Sequence, residues 1–207
     1  MVRESGRPRR WAVGITGASG AAYGVTLCRE LLRAGIDVHL VVSDAGWRVL
    51  KEELGWDSAR RAVAIADAFA DIEGGKLVFY PPGDIGAAIA SGSFRCEGMV
   101  VVPCSMGTLS AIAHGSSDNL LTRAADVTLK EGRPLLLVPR ETPLNAVHLE
   151  NMLKLARLGV RIIPAMPAFY QRPTTLADMV LFMAGKIMDN MGLDHHLYSR
   201  WGEQNES

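Results

Sequence analysis

Three short polar segments hold the residues best suited to chemistry, and each one directly follows an apolar run and precedes a helix-like run. They are Thr16-Gly17-Ala18-Ser19-Gly20, Pro103-Cys104-Ser105-Met106-Gly107-Thr108 and Pro139-Arg140-Glu141-Thr142-Pro143. In an open α/β sheet these positions are the carboxyl ends of parallel strands, where ligands bind. Small, hydroxyl-bearing and charged residues converging on one sheet edge predict a site for a phosphorylated ligand.

The first segment is a tight turn into a helix, which presents backbone N–H groups to an anion, and Ser19 adds a hydroxyl. The dinucleotide fingerprint does not fit, because Gly14 and Gly17 are not spaced as it requires and Ser43, not an acid, follows the second strand. A mononucleotide or other small phosphate therefore matches better. The alternative is that the glycines serve only to pack the helix close to the sheet.

The second segment has two open interpretations. Ser105 either caps the following helix or contacts the ligand, and the sequence does not separate these roles. Cys104 is interpreted as a core residue and not a nucleophile, because no histidine lies near it in the sequence and small buried cysteines are common.

Cations outside these turns would suit a phosphate monoester. Arg123 and Lys130 are seven residues apart, so two helical turns place them on one face, although a solvated surface explains them equally well. Lys186 lies on the last predicted helix and Tyr170 in the proline-flanked loop before it. Several such cations with a phenol hydroxyl would hold a phosphate group.

Two acidic positions are candidates for proton transfer. The Arg140-Glu141 pair stands between two prolines at a strand end, which favours a functional role, and Glu141 would act as acid or base if partly buried. Glu53 lies beside Glu52 near the end of the second helix. One of these two is expected to be merely solvated, and their spacing does not decide which.

These residues are positioned by alternating strand-like and helix-like patterns. Strands are predicted near residues 11–16, 37–42, 76–80, 99–102, 135–138 and 160–163, and helices near 21–33, 44–54, 56–69, 107–114, 118–130, 145–158 and 174–191. Residues 84–94 are ambiguous. The alternation predicts an α/β fold with one doubly wound, mainly parallel sheet and helices on both faces. Residues 1–10 are expected to be a flexible basic N-terminus, 11–192 a single domain, and 193–207 a tail that packs on a neighbouring subunit.

Composition excludes several classes of function. The 207 residues carry a formal net charge of zero, so no global field favours nucleic acid or an anionic membrane. No apolar stretch is long enough to span a bilayer. The three cysteines form no CxxC and the five histidines no ligand spacing, so neither a disulfide framework nor a metal site is expected. A cytoplasmic location is the resulting expectation.

From about residue 11 to residue 201 the chain resembles the UbiX-type flavin prenyltransferases. The resemblance is carried by the following segments together: Thr16 to Gly24, Ser91-Gly92-Ser93, Pro103-Cys104-Ser105, Thr122 to Asp126, Leu129-Lys130-Glu131, Pro139 to Leu144, Pro167 to Tyr170 and Arg200-Trp201. It implies a Rossmann-like flavoprotein fold and a homododecamer with active sites at subunit junctions. It also implies that reduced FMN is joined at N5 and C6 to the dimethylallyl group of dimethylallyl phosphate without a metal. The prenylated FMN would serve UbiD-type decarboxylases.

The resemblance also assigns roles to individual residues. The FMN positions are Gly17, Ala18, Ser19, Ser43, Cys104, Ser105, Met106, Gly107 and Arg140. The dimethylallyl phosphate positions are Tyr170 and Lys186, with Arg123 and Lys130 as further phosphate ligands. Ser19, Glu53 and Glu141 match positions linked to proton handling. Some relatives carry arginine where this chain has Lys186, which keeps the charge but loses the fork geometry.

Two alternatives stay open at this point. An FMN-dependent cysteine decarboxylase on the same fold would have no use for the phosphate-binding cations, and its Asn-rich motif is replaced here by Pro-Cys-Ser-Met-Gly. A non-catalytic flavin carrier would need only the FMN loops, not Glu141, Tyr170 and Lys186. The sequence does not decide between a monophosphate and a diphosphate donor.

Overall fold

The computed structural model describes residues 9–200, and its centre is a sheet of parallel strands. The strands are β1 (Arg10–Ile15), β2 (Asp37–Val42), β3 (Leu77–Tyr80), β4 (Gly98–Cys104), β5 (Leu135–Pro139) and β6 (Arg161–Ile162). They form one 6-stranded sheet in the order β3-β2-β1-β4-β5-β6, and every neighbouring pair runs parallel. This confirms the predicted α/β class.

Helices cover both faces of the sheet. Within residues 9–200 they are α1 (Ala21–Arg33), α2 (Asp44–Leu54), α3 (Arg61–Phe69), α4 (Met106–Ala113), α5 (Leu120–Lys130), α6 (Ala146–Arg157) and α7 (Leu176–Met191), with a 3-10 helix at Ala88–Ala90. The helices pack on the sheet through two buried hydrophobic clusters, one on each face. Helices α1, α2, α3 and α7 contribute to one cluster, and α4, α5 and α6 contribute to the other. The sheet is therefore doubly wound.

The central strand β4 shows why the sequence specifies this arrangement. Every residue from Gly98 to Cys104 is buried, as expected for a parallel strand covered by helices on both sides. Val100 and Val102 belong to one cluster, while Met99 and Val101 belong to the other, following the two-residue period of a strand.

The winding changes direction between β1 and β4. The connection after β1 leads to α1 on one face, and the connection after β4 leads to α4 on the opposite face. The two strands are neighbours, so a crevice opens at their carboxyl ends. In doubly wound sheets this topological switch point is where ligands bind.

The structure differs from the predicted boundaries in a few places. The third helix begins at Arg61 instead of near residue 56, because Asp57 accepts hydrogen bonds from the Ala59 N–H and the Arg60 side chain in a turn before it. Arg10 lies inside β1, and Arg9 forms an ion pair with Glu97, so the predicted N-terminal segment overlaps the sheet. Residues 1–8 and 201–207, which include Trp201, lie outside the described residues.

Candidate functional site

The turn after β1 is built by close packing. An ideal Cβ at Gly17 would lie 2.5 Å from the Cβ of Ala45, so the turn rests directly on the start of α2. Ala18 is buried, whereas Ser19 is exposed. Gly20 has a φ of 105°, a left-handed conformation that favours glycine, and it is the N-cap directly before Ala21, the first residue of α1. Gly17 thus has a packing role, and Ser19 is the residue of the turn that faces outward.

Glu53 reaches back from α2 to the beginning of α1. Its carboxylate accepts the N–H of Gly20 at 3.0 Å and the N–H of Ala21 at 2.9 Å. A carboxylate at this position satisfies unpaired donors and interacts favourably with the helix dipole. The sequence predicted that backbone N–H groups of this turn bind a ligand anion. At Gly20 and Ala21 these groups already donate to Glu53. The structure also resolves the Glu52–Glu53 ambiguity in favour of Glu53.

The protonation of Glu53 follows from these contacts. Desolvation alone would raise its pKa, but hydrogen bonds from the Ser19 side chain and from the Ala21 and Gly20 N–H groups, with the nearby charge of Arg140, bring the pKa below its ordinary value. Glu53 is thus a stable carboxylate at neutral pH in the single chain. It can orient Ser19 and accept a proton, but it does not hold one ready to donate.

A buried threonine joins β1 to the second polar segment. The Thr16 hydroxyl accepts the N–H of Ser105 and donates to the Pro103 carbonyl, both at 2.8 Å. Thr16 is 1% exposed, so these bonds are shielded from water. The sequence alone indicated no separate role for Thr16. The role could have been predicted from the position of Thr16, because a hydroxyl at the end of a buried strand needs hydrogen-bond partners.

Two predicted cofactor hydroxyls cap helices. Ser43 accepts the N–H of Gly46 at 3.0 Å at the start of α2, and Ser105 accepts the N–H of Thr108 at 3.3 Å at the start of α4. The capping interpretation of Ser105 is confirmed. A serine oxygen has two lone pairs and one donor, so ligand contact by either residue stays a prediction.

The remaining residues of the second segment divide into buried and exposed positions. Cys104 is 0% exposed, and burial raises the pKa of its thiol, which confirms the interpretation of a core residue. Only its backbone is available to a ligand, and its carbonyl accepts the Arg140 N–H at 3.4 Å. Met106 is also buried. Gly107 is exposed, and a Cβ built there meets no heavy atom within 4 Å.

The third segment meets the first across the crevice. Arg140 donates through Nε to the Ser19 carbonyl at 3.2 Å, so a guanidinium stands beside the exposed Ser19 turn. Glu141 is exposed and accepts the N–H of Thr142 at 3.0 Å. Partial burial was the condition for its acid–base role, and the single chain does not provide it. A mainly apolar pocket adjoins both residues and is lined further by Leu144, Met152, Ala165 and Met166.

The predicted phosphate ligands fall into two groups on opposite faces of the sheet. Arg123 and Lys130 lie on α5, where Arg123 pairs with Asp126 at 2.8 Å and Lys130 with Glu131. Lys186 lies on α7, 3.6 Å from Asp189. Because α5 and α7 pack on opposite faces, one chain alone does not bring these cations together.

Tyr170 lies on the α7 side of the molecule. Its ring packs edge-on against Phe182 of α7 with centroids 6.0 Å apart, and it is 48% exposed. It therefore shares a side of the sheet with Lys186 and not with Arg123 and Lys130.

Residues 9–200 show no group of three or more histidine, cysteine, aspartate and glutamate side chains arranged to hold a metal ion. No helix in the same range is both long and apolar enough to cross a membrane. The chemistry of the site described above is that of hydroxyls, carboxylates, a guanidinium and backbone amides.

Comparisons with known proteins agree with this geometry. The Flavoprotein family model matches residues 2–188. The flavin prenyltransferase UbiX of Halalkalibacterium halodurans is 53% identical over 197 residues, which cover 95% of each chain.

Solved structures give the same result. AnUbiX (PadA1), in complex with FMN and dimethylallyl pyrophosphate, superposes with a TM-score of 0.85 at 40% identity and covers 94% of this chain and 98% of its own. A dodecameric FMN-dependent Ubix-like decarboxylase from Escherichia coli O157:H7 has a TM-score of 0.82 at 45% identity and covers 93% of this chain and 98% of its own.

Proposed function

The chain belongs to the UbiX-type flavin prenyltransferase family, and on that premise we propose that it transfers a dimethylallyl group from dimethylallyl phosphate to reduced FMN. The product is prenylated FMN, with new bonds at flavin N5 and C6. The observation that carries the proposal is the meeting of Ser19, Glu53 and Arg140 at the switch point of the sheet, beside an open helix start.

The residues present fit FMN at this crevice. The space around Gly107 allows a flat ring or a phosphate to approach the beginning of α4, where Ser105 caps the Thr108 N–H and the preceding N–H groups of Met106 and Gly107 have no partner within the helix. Arg140 supplies a positive charge next to it, and the apolar pocket by Leu144 and Met166 offers a surface for aromatic rings. Ser19, Ser43 and Ser105 supply hydroxyls at the same edge.

Reduced FMN supplies the nucleophile of the reaction, its N5. The protein supplies charge for the leaving group: as the carbon–oxygen bond of the allyl phosphate breaks, negative charge grows on the phosphate, and Arg123, Lys130 and Lys186 are the cations proposed to stabilise it. The Tyr170 hydroxyl donates a hydrogen bond to the same group. Bond formation at N5 would release the N5 proton, and closure at C6 would require a proton on the dimethylallyl double bond and the loss of the C6 proton. Glu141, acting through Ser19, or the released phosphate would give and accept these protons.

We propose that the complete substrate site forms between subunits. Arg123 and Lys130 lie on the opposite sheet face from Lys186. Large apolar side chains are exposed along α6 and near Tyr170, where Phe169 is 75% exposed and Met166 is 70% exposed. We propose a homododecamer, like the dodecameric Ubix-like protein from Escherichia coli O157:H7. Such a homo-oligomer would cover these side chains and bring the two cation groups together.

Mixed oligomers test the shared site. Arg123→Ala and Lys186→Ala should each be inactive at low substrate concentration. Oligomers refolded from an equal mixture should regain activity in about a quarter of their sites if the two residues come from different subunits. Lack of any recovery in verified mixed oligomers would contradict this arrangement.

The activity itself has a direct test. The purified protein is incubated without oxygen with reduced FMN and either dimethylallyl phosphate or the diphosphate, and the mass of the released flavin is measured. We expect a gain of one C5H8 unit, and the two donors identify the leaving group. An unaltered flavin mass would favour a carrier or a cysteine decarboxylase instead. Glu141→Gln with unchanged product yield would remove Glu141 from the proton transfer.

The product is proposed to serve a UbiD-type decarboxylase, and the reaction to take place in the cytoplasm. Cys28, Cys96 and Cys104 are free thiols, which suits a reducing compartment, and reduced FMN requires one. Activation of an apo-decarboxylase by the reaction mixture, but not by the mixture lacking the allyl donor, tests the partnership.

A further inference from the structure

A single carboxylate holds the end of the described chain against the last helix. The Tyr198 hydroxyl donates to Asp189 Oδ2, and an Arg200 guanidinium nitrogen donates to Oδ1 at 2.9 Å. His195 Nε2 lies 3.1 Å from the same Oδ1, while its Nδ1 accepts the N–H of Leu197. These bonds assign the proton to Nε2, so the ring donates to Asp189. We call residues 193–200 the C-terminal segment.

The same carboxylate also faces Lys186. Lys186 Nζ lies 3.6 Å from Asp189 Oδ2, one helical turn earlier on α7. The ammonium group also lies 5.8 Å from the centre of the Tyr198 ring. Lys186 is therefore held by Asp189 directly and by a ring that Asp189 keeps in place. A lysine side chain has many rotamers, and restricting them before substrate arrives reduces the entropy lost on binding.

The surface of α7 is shaped to receive the C-terminal segment. An ideal Cβ at Gly185 would lie 2.7 Å from Tyr198 ring carbons and 2.8 Å from a His195 ring carbon, so the rings rest on bare helix backbone. The Tyr198 ring also packs against Phe182 at 5.0 Å between centroids, and Phe182 contacts Tyr170. One aromatic cluster thus connects the segment to the Tyr170 loop.

We infer that Asp189 is a positioning residue of the substrate site: by docking the C-terminal segment on α7, it fixes Lys186 and Tyr170 to receive the phosphate of the allyl donor. The inference rests on the proposed function, because that function gives Lys186 and Tyr170 their ligand. Asp189 itself does not contact the substrate. Its three donors and Lys186 converge on it from two separate stretches of chain.

The first test replaces Asp189 with asparagine in the full-length oligomer. We expect the KM for dimethylallyl phosphate to rise about tenfold, the scale of one lost charge-assisted coupling, with little change in FMN affinity. Hydrogen exchange at the Leu197 amide should become faster. The matched control is Asp178→Asn, which removes a carboxylate from the capping box at the start of the same helix. It should lower stability but leave KM within about twofold.

A double-mutant cycle separates positioning from general damage. Because Asp189 is inferred to act through both Lys186 and Tyr170, the cycle uses a Lys186→Ala/Tyr170→Phe background, in which Asp189→Asn should change KM by less than about twofold. If Asp189→Asn raises KM by the same factor in this background as in the wild type, the inference is overturned. An unchanged KM in Asp189→Asn would also overturn it.

A second variant covers the case in which Asp189→Asn does not fold. Gly185→Ala alters no charge and favours the helix, but its methyl group displaces the Tyr198 and His195 rings. It should reproduce both the higher KM and the faster exchange. Normal values for both would overturn the inference.

The outcomes distinguish this inference from the proposed function. Wild-type protein that leaves reduced FMN unmodified overturns both. Wild-type protein that prenylates FMN, with a higher KM in Lys186→Ala but not in Asp189→Asn, overturns the positioning role alone.

Discussion

Replacing Glu53 with glutamine should destabilise the protein because it removes the charge that caps α1. The carboxylate accepts N–H bonds from Gly20 and Ala21 and a bond from the Ser19 side chain. Charged groups at helix N-termini contribute about 0.3–1 kcal/mol when exposed, and a side-chain cap typically contributes about 1 kcal/mol. Glu53 is exposed, so we expect a loss of about 1 kcal/mol, or about 2–4 °C in Tm for a chain of this size.

The pH dependence of this effect has a definite sign. The pKa of Glu53 in the folded protein lies below its ordinary value of 4.5. The carboxylate therefore adds stability above about pH 4.5, and that contribution is lost as the pH falls through the folded pKa. The stability difference between wild type and Glu53→Gln should be complete at pH 7 and should shrink below pH 4.5.

Urea denaturation at equal protein concentration measures the difference, and the adjacent Glu52→Gln is the matched control. Glu52 is exposed on the same turn of α2, and its removal should change stability by less than about 0.5 kcal/mol. Equal stabilities of the two variants at pH 7 would refute the capping argument. A difference that persists unchanged at low pH would show that charge is not its origin.

Three further changes probe the crevice. Arg140→Lys keeps the charge but loses the planar donor that bonds to Ser19, so FMN should bind about tenfold more weakly by calorimetry; unchanged affinity would contradict this contact. Thr16→Val should cost about 1–3 kcal/mol in urea denaturation, because it leaves the Ser105 N–H unpaired beside β1; a cost near zero would mean that water replaces the hydroxyl. Gly107→Ala should weaken FMN binding without lowering Tm, since its methyl group enters open space; equal affinity would place the flavin elsewhere.

Local patterns were sufficient to predict the elements and the ligand-binding edge. The apolar run of β4 and the small-residue turns after β1, β4 and β5 are contiguous in sequence, so strand ends and the fold class followed directly. The core position of Cys104 was predicted from its residue type and from the lack of a histidine near it in the sequence, and its side chain is 0% exposed.

Long-range geometry was not accessible in the same way. The choice of Glu53 over Glu52 depends on how α2 turns toward α1, and the donors are 32 and 33 residues away. The separation of Arg123 from Lys186 depends on which face each crossover takes, a property of the whole topology. Asp189 had no distinguishing sequence signal, because its partners lie in a segment without regular structure.

The cap on α1 has a consequence for which nucleotides the fold can accept. The strand order is that of dinucleotide-binding enzymes, which use the amides of the first helix to hold a pyrophosphate. Here the Glu53 carboxylate already accepts hydrogen bonds from the Gly20 and Ala21 amides. Because Glu53 belongs to the same chain, its effective concentration at these amides is high, and a pyrophosphate would have to displace it. Glu53 thus competes with a pyrophosphate for the amides at the start of α1, and we expect the single phosphate of a flavin mononucleotide to bind elsewhere along the crevice.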